Sequence, residues 1–275
     1  MYRKYRVRQK SFEFREKNTV ETDFPYDPHF HDCYEIYYLK AGDVSYMVEG
    51  NHYDMKPGDL MLTNPRELHC PIVGPKEYHR ITLSIHPLYL SSFITEDYNP
   101  FSSLANRPLG SRNRIDASIV SANGLDKLIN TIGEYYNSTL PSKNAMIKAY
   151  SLILLEAINH IIQVDKLTFT HERISDIIHY INDNLAEKIT LTSLANIFNL
   201  NKHYLSHAFH DKMGMTLTDY ITGKRIQHAL ELMEGNCTLL EIALQSGFSD
   251  YAAFYRAFHK FTGMNPAQYQ KSMKR

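Results

Sequence analysis

Three histidines and one glutamate carry the chemistry that this sequence offers most openly. His29, His31 and Glu35 follow the spacing H-x-H-x₃-E, and His69 comes later in the chain. Imidazole nitrogens and a carboxylate suit a catalytic metal that has three or four ligands and an open position. The same side chains also hydrogen-bond a polar ligand or one another, and this alternative stays open at this point.

Short segments rich in β-forming residues surround these four side chains. Glycine, proline and asparagine favour tight turns, and they separate the segments at Ala41-Gly42-Asp43, Glu49-Gly50-Asn51 and Lys56-Pro57-Gly58-Asp59. Strands are expected at 33–39, 44–48, 60–62 and 79–85. Many short strands with regular turns predict a sandwich or barrel over about residues 24–86.

The C-terminal region contains one pattern of residues twice. Its members are Ala195, Asn199, Phe209, Gly214-Met215 and Tyr220 in the first copy, and Ala243, Gly247, Phe258, Gly263-Met264 and Tyr269 in the second. Apolar residues at helical spacing around a turn predict two helix-turn-helix units, at about 191–214 and 239–263. An ordinary helical bundle or a two-repeat fragment of a solenoid would explain one copy alone, but two copies with a turn residue at the same place and the same Gly-Met ending argue against both.

Local signals predict where the helices of each unit begin and end. Asn201 is expected to cap the second helix of the first unit, and Ser249 or Asp250 the corresponding helix of the second. Gly214 and Gly263 are expected to end these helices in the left-handed conformation.

Residues 173–275 resemble the DNA-binding domain of AraC/XylS-type transcription regulators. The signature lies in Glu241-Ile242-Ala243, in Ser246-Gly247-Phe248-Ser249, from Phe254 to Lys260, and in Gly263-Met264-Asn265-Pro266. The family often has arginine after the last tyrosine, where this sequence has Gln270. The departure removes one potential phosphate contact and does not affect the expected fold. The resemblance implies that the second helix of each unit enters the major groove of DNA.

Matching family positions gives the residues expected to bind DNA. Arg256 is the strongest of them, because arginine can hold guanine with two hydrogen bonds. Lys202 and Lys260 are expected to contact phosphate. The full set is Lys202, His203, Ser206, His207, Tyr251, Ala252, Ala253, Arg256 and Lys260.

The histidine motif is similar to the first motif of cupin barrels, and the span from Gly58 to His69 matches the second. Asn64 stands where that motif usually has proline, and Arg66 where it has glycine. AraC-type sensor domains show the same drift, which implies a pocket for a small molecule rather than a catalytic metal. The expected ligand-binding residues are His29, His31, Glu35, Tyr37, His69 and Arg80, with no metal and no cofactor.

Composition limits the class of protein. The 275 residues carry 30 basic and 30 acidic side chains, so only the basic cluster over 256–275, which contains no acidic residue, favours DNA. The three cysteines form no CxxC pair, which argues against zinc fingers and fits a reducing cytoplasm. The apolar stretch 152–164 is interrupted by polar residues and is not expected to span a bilayer.

Helices are expected at 116–137 and 142–164, where the resembled family often forms its dimer interface.

Residues 165–172 are polar and aperiodic, which predicts a linker. The basic residues of Arg3–Lys10 predict an N-terminal arm within residues 1–23. This arm is expected to be solvated, or to contact DNA or the partner domain. A helix at 217–234 is expected to hold the two units at a fixed separation.

The sequence therefore predicts an α+β chain with a cupin-like sensing and dimerisation domain at 1–164, a linker at 165–172 and a DNA-binding domain at 173–275. The expected function is a cytoplasmic, homodimeric regulator that binds an operator and responds to a small molecule such as a sugar, with RNA polymerase as a partner if it activates. A metal-dependent cupin enzyme and an architectural DNA-binding protein are the alternatives. The effector, the operator and the direction of control are not encoded in recognisable residues.

Overall fold

The computed structural model describes residues 5–6, 11–19, 27–75, 77–164 and 173–273. Contacts divide the chain into two compact units. The β-rich unit contains Arg8–Tyr26 and Cys33–Thr168, and the helical unit contains Met1–Val7, Asp27–Asp32 and Phe169–Arg275. The predicted linker lies outside the described residues, as does the arm Arg3–Lys10 apart from residues 5–6, and the predicted domain boundaries stay a prediction.

Two antiparallel sheets build the β-rich unit. The described strands of both units, in chain order, are β1 (Tyr5–Arg6), β2 (Phe12–Thr19), β3 (Phe30–His31), β4 (Tyr34–Ala41), β5 (Val44–Val48), β6 (Asn51–Met55), β7 (Leu60–Thr63), β8 (His69–Val73), β9 (Tyr78–Ile85) and β10 (Arg114–Ile115). One sheet has the order β10-β7-β4-β9-β2 and the other β6-β5-β8, while β1 and β3 pair in parallel within the helical unit.

The larger sheet separates two hydrophobic cores, because side chains alternate between the faces of a strand. Ile36 of β4 points to a core shared with the helices of the unit. Tyr37, its neighbour, joins Met61 and Tyr46 in a second core between the two sheets. The interior between the sheets is therefore lined by odd-numbered residues of β4, among them Glu35.

The prediction of a solvated arm over residues 1–23 is wrong for the segment that forms β2. This strand pairs with β9 from Phe12↔Ile85 to Thr19↔Tyr78. Phe12 and Phe14 are buried in the core on the helical face of the sheet. Basic residues nearby hide this short alternation of apolar side chains in the sequence.

The helices of the β-rich unit cover the larger sheet. They are α1 (Ser102–Ala105), α2 (Ala117–Ala122), α3 (Leu125–Asn137) and α4 (Lys143–Val164), and a short 3₁₀ helix spans Pro87–Phe93. The single helix predicted over 116–137 is wrong, because Gly124 adopts φ 66° and separates α2 from α3. Among the described residues, α4 is the one helix long and apolar enough to cross a membrane, but Leu154, Leu155 and Ile158 are buried in the core.

The two departures from the cupin motif make specific contacts in the fold. The Asn64 amide nitrogen donates to the Leu104 carbonyl (3.0 Å), and the Arg66 guanidinium donates to the Ala105 carbonyl (2.7 Å). Next to them, Glu67 forms a buried ion pair with Arg107 at 2.7 Å. These residues tie the β7–β8 connection to α1, where the proline and glycine usual in the motif could not make side-chain hydrogen bonds.

The helical unit consists of α5 (Arg173–Asp183), α6 (Leu191–Ile197), α7 (Lys202–Met213), α8 (Leu217–Leu232), α9 (Leu239–Gln245), α10 (Tyr251–Thr262) and α11 (Pro266–Met273). Helices α6–α7 and α9–α10 lie where the sequence predicts the two helix-turn-helix units, and α8 connects them. The segment Asp27–Asp32 packs in this unit. Its Phe30 is fully buried, and a Cβ at Gly223 would lie 2.8 Å from the Phe30 ring.

The predicted caps of the two units are confirmed. The Asn201 side chain accepts hydrogen bonds at the start of α7, and Asp250 accepts one from the Ala253 amide (2.7 Å) at the start of α10. Gly214 and Gly263 end these helices in the left-handed conformation, at φ 66° and 73°. Local sequence signals therefore fix the bounds of both second helices.

Candidate DNA-reading helices and effector pocket

Helix α7 turns one face into the domain and leaves the opposite face exposed. Leu205 and Phe209 are fully buried. Because an α-helix turns by about 100° per residue, His203, Tyr204 and His207 lie on the side away from this buried face. Tyr204 is 59% exposed, although the sequence prediction omits it. The exposed face of α7 therefore presents two imidazoles and a phenol.

Helix α10 has the same organisation with different chemistry. Phe254 and Phe258 are fully buried, and the helical spacing places Ala252 and Arg256 on the opposite side. Tyr255 flanks Arg256, and its ring stacks on His259 with centroids 6.4 Å apart and an angle of 11° between the planes. Arginine is consequently the one residue on the outward centre of α10 that can make two hydrogen bonds to a base.

The predicted DNA-binding residues lie at the surface of the helical unit. The exposed members of the set are Lys202, His203, Ser206, His207, Ala252, Arg256 and Lys260. The partly buried members are Tyr251 and Ala253. The Lys260 ammonium lies 3.3 Å from the Asp219 carboxylate. An exposed ion pair of this kind stabilises a protein little, so exchanging Asp219 for a phosphate costs little free energy. Their roles in DNA binding stay predictions.

The caps of the two units differ in whether they can titrate. In the second unit, hydrogen bonds from the Thr238 amide and hydroxyl lower the pKa of Glu241. Hydrogen bonds from the Ala253 amide and the Ser249 hydroxyl lower the pKa of Asp250, and the Arg256 charge adds to the effect. In the first unit the caps of α6 and α7 are Thr190 and Asn201, which carry no ionisable group.

Acid is expected to loosen the second unit before the first. Because the folded-state pKa of each carboxyl lies below its ordinary value of 4.5 for Glu241 and 3.8 for Asp250, the stabilisation is present above those values and is lost as the pH falls through the lowered ones. Amide exchange at the starts of α9 and α10 should therefore accelerate below about pH 4 relative to α6 and α7. In the Glu241→Gln, Asp250→Asn double variant this difference should disappear; its persistence would contradict the account.

A row of buried polar side chains crosses the larger sheet of the β-rich unit. Glu35 of β4 lies opposite Thr63 of β7 and Ser84 of β9 in the register of the strands. Directly paired residues point to the same face, so all three side chains face the interior between the sheets. The Thr63 hydroxyl is fully buried and has no hydrogen-bond partner among the described residues.

The smaller sheet places two further polar side chains, Tyr46 and His69, beside this row. The Tyr46 hydroxyl donates to Glu35 Oε1 at 3.3 Å, and His69 Nε2 lies 4.0 Å from that oxygen. His69 Nδ1 lies 2.9 Å from the Glu67 carbonyl and donates to it, which leaves Nε2 facing Glu35. A carboxylate, an imidazole and hydroxyl groups thus converge inside the unit.

A second group of polar side chains lies along the same interior. The Tyr37 hydroxyl donates to the Tyr78 hydroxyl at 3.0 Å, and the Arg80 guanidinium stacks 4.0 Å above the Tyr78 ring. Burial raises the pKa of Tyr37 well above its ordinary value and that of Tyr78 to about 12. These phenols are therefore neutral at physiological pH and can both donate and accept hydrogen bonds.

The predicted pair His29 and His31 belongs to the helical unit. Both side chains are buried, and their ring centroids lie 6.0 Å apart. His29 Nδ1 lies 2.9 Å from the Asp27 carbonyl. Of the predicted ligand-binding set, the structure brings Glu35 and His69 together and places Tyr37 and Arg80 in the neighbouring group. The roles of all six residues stay predictions.

Sequence reasoning missed Tyr46, Thr63, Tyr78 and Ser84. Alternation along a strand indicates which residues share a face, but it does not show which residue of another strand lies opposite. Thr63 and Ser84 join Glu35 through the pairing register alone. Tyr204 was detectable, because its position three residues before His207 places it on the exposed face of α7.

Two helix-turn-helix units with exposed second helices, on one chain with a β-rich unit that contains buried polar side chains, are the arrangement expected of a one-component DNA-binding regulator. Residues 17–112 match the family model of the AraC-like ligand binding domain, and residues 194–272 match that of a helix-turn-helix domain. The chain belongs to the AraC-type transcription regulators. The matched domains and relatives are regulators and not enzymes, so the alternative of a metal-dependent enzyme is wrong.

The relatives cover most of the chain. The melibiose operon regulatory protein of Escherichia coli K12 is 25% identical over 94% of this chain and 86% of its own length. The uncharacterised regulator YbfI of Bacillus subtilis is 26% identical over 81% of this chain and 78% of its own length. Among solved structures, ToxT from Vibrio cholerae matches with a TM-score of 0.42 at 14% identity, over 96% of this chain and 99% of that one.

Proposed function

We propose that this protein reads a specific operator sequence through α7 and α10 in the cytoplasm, and that a carbohydrate bound in the β-rich unit controls the binding. The observation that carries the proposal is the pair of reading helices. Each follows a turn residue with positive φ, begins at a side-chain cap and ends at a left-handed glycine, but the two expose different side chains. His203, Tyr204 and His207 in α7 and Arg256 in α10 offer distinct hydrogen-bonding groups to the edges of bases.

The interior of the β-rich unit supports a polyhydroxylated effector. Glu35 accepts hydrogen bonds, His69 Nε2 lies beside it, and Thr63 and Ser84 both donate and accept. Tyr37, Tyr46 and Tyr78 add ring surface against which the apolar face of a sugar can pack. The melibiose regulator, although only 25% identical, supports the same class of effector.

Fluorescence anisotropy with a panel of monosaccharides and disaccharides, melibiose included, tests the effector class. The operator is first selected from random duplex DNA by the purified protein. A carbohydrate effector predicts that at least one sugar changes the operator Kd severalfold, while unrelated amino acids do not. The sugar assignment fails if no sugar in the panel changes the Kd and another class of metabolite does.

Helix α4 supports a homodimer as the functional form. Its exposed side carries Ala145, Ala149 and Ile153 at successive helical turns, and Ile153 is 52% exposed. The exposed Tyr98 extends this surface, because its hydroxyl donates to Glu156 of α4 at 3.2 Å. Small residues let two copies of a helix approach closely around a two-fold axis. We therefore propose that the exposed side of α4 packs against α4 of a second copy of this chain.

Ile153→Glu is expected to convert the dimer into a monomer, because it places two charges at the centre of the proposed apolar contact. Sedimentation equilibrium at micromolar concentration measures the change. Ile197→Glu is the matched control, since Ile197 of the helical unit has almost the same exposure, 51%, and should leave the dimer intact. A dimer that survives Ile153→Glu, or a monomeric parent protein, would contradict the α4 interface.

A further inference from the structure

Arg225 occupies a junction between the two helix-turn-helix units. It lies near the middle of α8, the helix that connects them. Its Nε donates to the Leu185 carbonyl at 3.0 Å and its Nη2 to the Glu187 carbonyl at 2.6 Å. These carbonyls belong to the loop between α5 and α6, directly before the first unit. The Arg225 side chain therefore links α8 to this loop by two hydrogen bonds.

The turn of the second unit packs on the same loop. Gly247 separates α9 from α10 with φ 83°, a conformation that favours glycine. A Cβ at this position would overlap the Leu185 carbonyl oxygen and would lie 2.8 Å from Arg225 Nε and 3.1 Å from the Ala186 Cα. The absence of a side chain therefore lets the turn of one unit rest on the backbone before the other.

Burial at this junction strengthens the hydrogen bonds of Arg225. It lowers the pKa of the guanidinium, which indicates partial removal from water. A guanidinium holds two acceptors in a fixed planar geometry, and a lysine ammonium does not. In the described part of the chain, the Arg225–Leu185–Gly247 junction therefore joins the units through space, in addition to α8, which joins them through the chain.

We propose that Arg225 is a positioning residue that fixes the spacing and rotation between α7 and α10, so that the protein accepts one distance between the two DNA segments it reads. This inference rests on the proposed reading of DNA by both helices. One base pair of insertion moves the second segment by about 3.4 Å and rotates it by about 36° around the duplex. A rigid pair of reading helices cannot follow such a shift, whereas a loosened pair can.

The experiment uses the full-length protein and a series of duplexes. Each duplex carries the two operator segments that the protein contacts. In one series, zero, one or two base pairs are inserted or deleted between the segments. In a second series, each segment is present alone. The parent protein is expected to bind the native spacing at least about tenfold more tightly than a spacing changed by one base pair. Arg225→Ala should flatten this profile to within about threefold while binding each single segment as the parent does.

Controls separate positioning from folding. His228→Ala removes a partly exposed imidazole of the same helix, which lies 3.6 Å from the Glu231 carboxylate, and should keep the sharp profile. Arg225→Lys retains the charge but not the two-point geometry and should give an intermediate profile, which a folding defect would not produce. If Arg225→Ala fails to fold, as circular dichroism would show, the Arg225→Lys profile decides in the same way.

The outcomes also distinguish this inference from the proposed function. A folded Arg225→Ala or Arg225→Lys with a profile as sharp as that of the parent overturns the positioning role and leaves DNA reading intact. A parent protein that binds one segment as tightly as both overturns the use of two reading helices, and the inference falls with it.

Discussion

Replacing Arg256 with alanine is expected to weaken operator binding by roughly five- to 150-fold and to relax the preference for one base, because a bidentate arginine–guanine contact contributes about 1–3 kcal/mol. Arg256 is the residue on the outward face of α10 that can make this contact, since Ala252 beside it offers only a methyl group. Competition binding with operators mutated one base pair at a time measures both effects. The loss should concentrate at one position, where the variant no longer distinguishes guanine from other bases.

Two controls show whether the loss is specific. Lys260→Ala should weaken binding to every sequence alike and reduce the salt dependence of the affinity, as expected for a phosphate contact. Arg15→Ala removes an exposed arginine from β2 and should change neither property. Selectivity retained in Arg256→Ala would show that α10 does not read bases through this residue.

Glu35→Gln is expected to shift the response to much higher effector concentrations while leaving operator binding without effector unchanged. The Glu35 side chain is buried and accepts a hydrogen bond from the Tyr46 hydroxyl, so it is the acidic group at the centre of the polar interior. Hydrogen bonds to charged groups contribute about 1.5–3 kcal/mol, which corresponds to a loss in effector affinity of roughly ten- to 150-fold. Calorimetric titration with the effector measures this loss directly.

Glu16→Gln is the matched control for this substitution. Glu16 lies on β2 of the same sheet, at the exposed surface, and its carboxylate accepts hydrogen bonds from Lys40 at 2.8 Å and from His79 at 2.9 Å. The control should bind the effector as the parent does. Thr63→Val removes the unpartnered hydroxyl and should weaken a hydroxyl-rich effector by a smaller factor. If Glu35→Gln binds the effector as tightly as the parent protein, Glu35 is not part of the effector site and this assignment is wrong.

The parts of the fold that depend on neighbouring residues were predictable from the sequence. Asn201, Gly214 and Gly263 act on the backbone within a few residues, so their types identify where α7 and α10 begin and end. The repeat itself predicted the two units, because the same spacing of apolar residues occurs twice. The role of Arg256 in reading a base was predicted because its position matches the family signature, and that role stays a prediction.

The parts that depend on distant residues were not predictable. The register that brings Thr63 and Ser84 beside Glu35 is set by strands far apart in the chain. The sequence shows Gly247 as a turn residue, but not that the Leu185 carbonyl occupies the space of its missing side chain. Strand β2 was missed because its phenylalanines lie among charged residues, and only pairing with β9 shows that they are buried.

The central claim is that effector binding and operator binding are linked on one chain. The most direct test is calorimetric titration of the identified sugar into the protein, alone and saturated with operator, together with operator titrations at zero and saturating sugar. Linkage predicts that operator changes the sugar Kd by the same factor by which sugar changes the operator Kd. Identical sugar affinities with and without operator would contradict the account, because a ligand shifts an equilibrium only when it binds two states unequally.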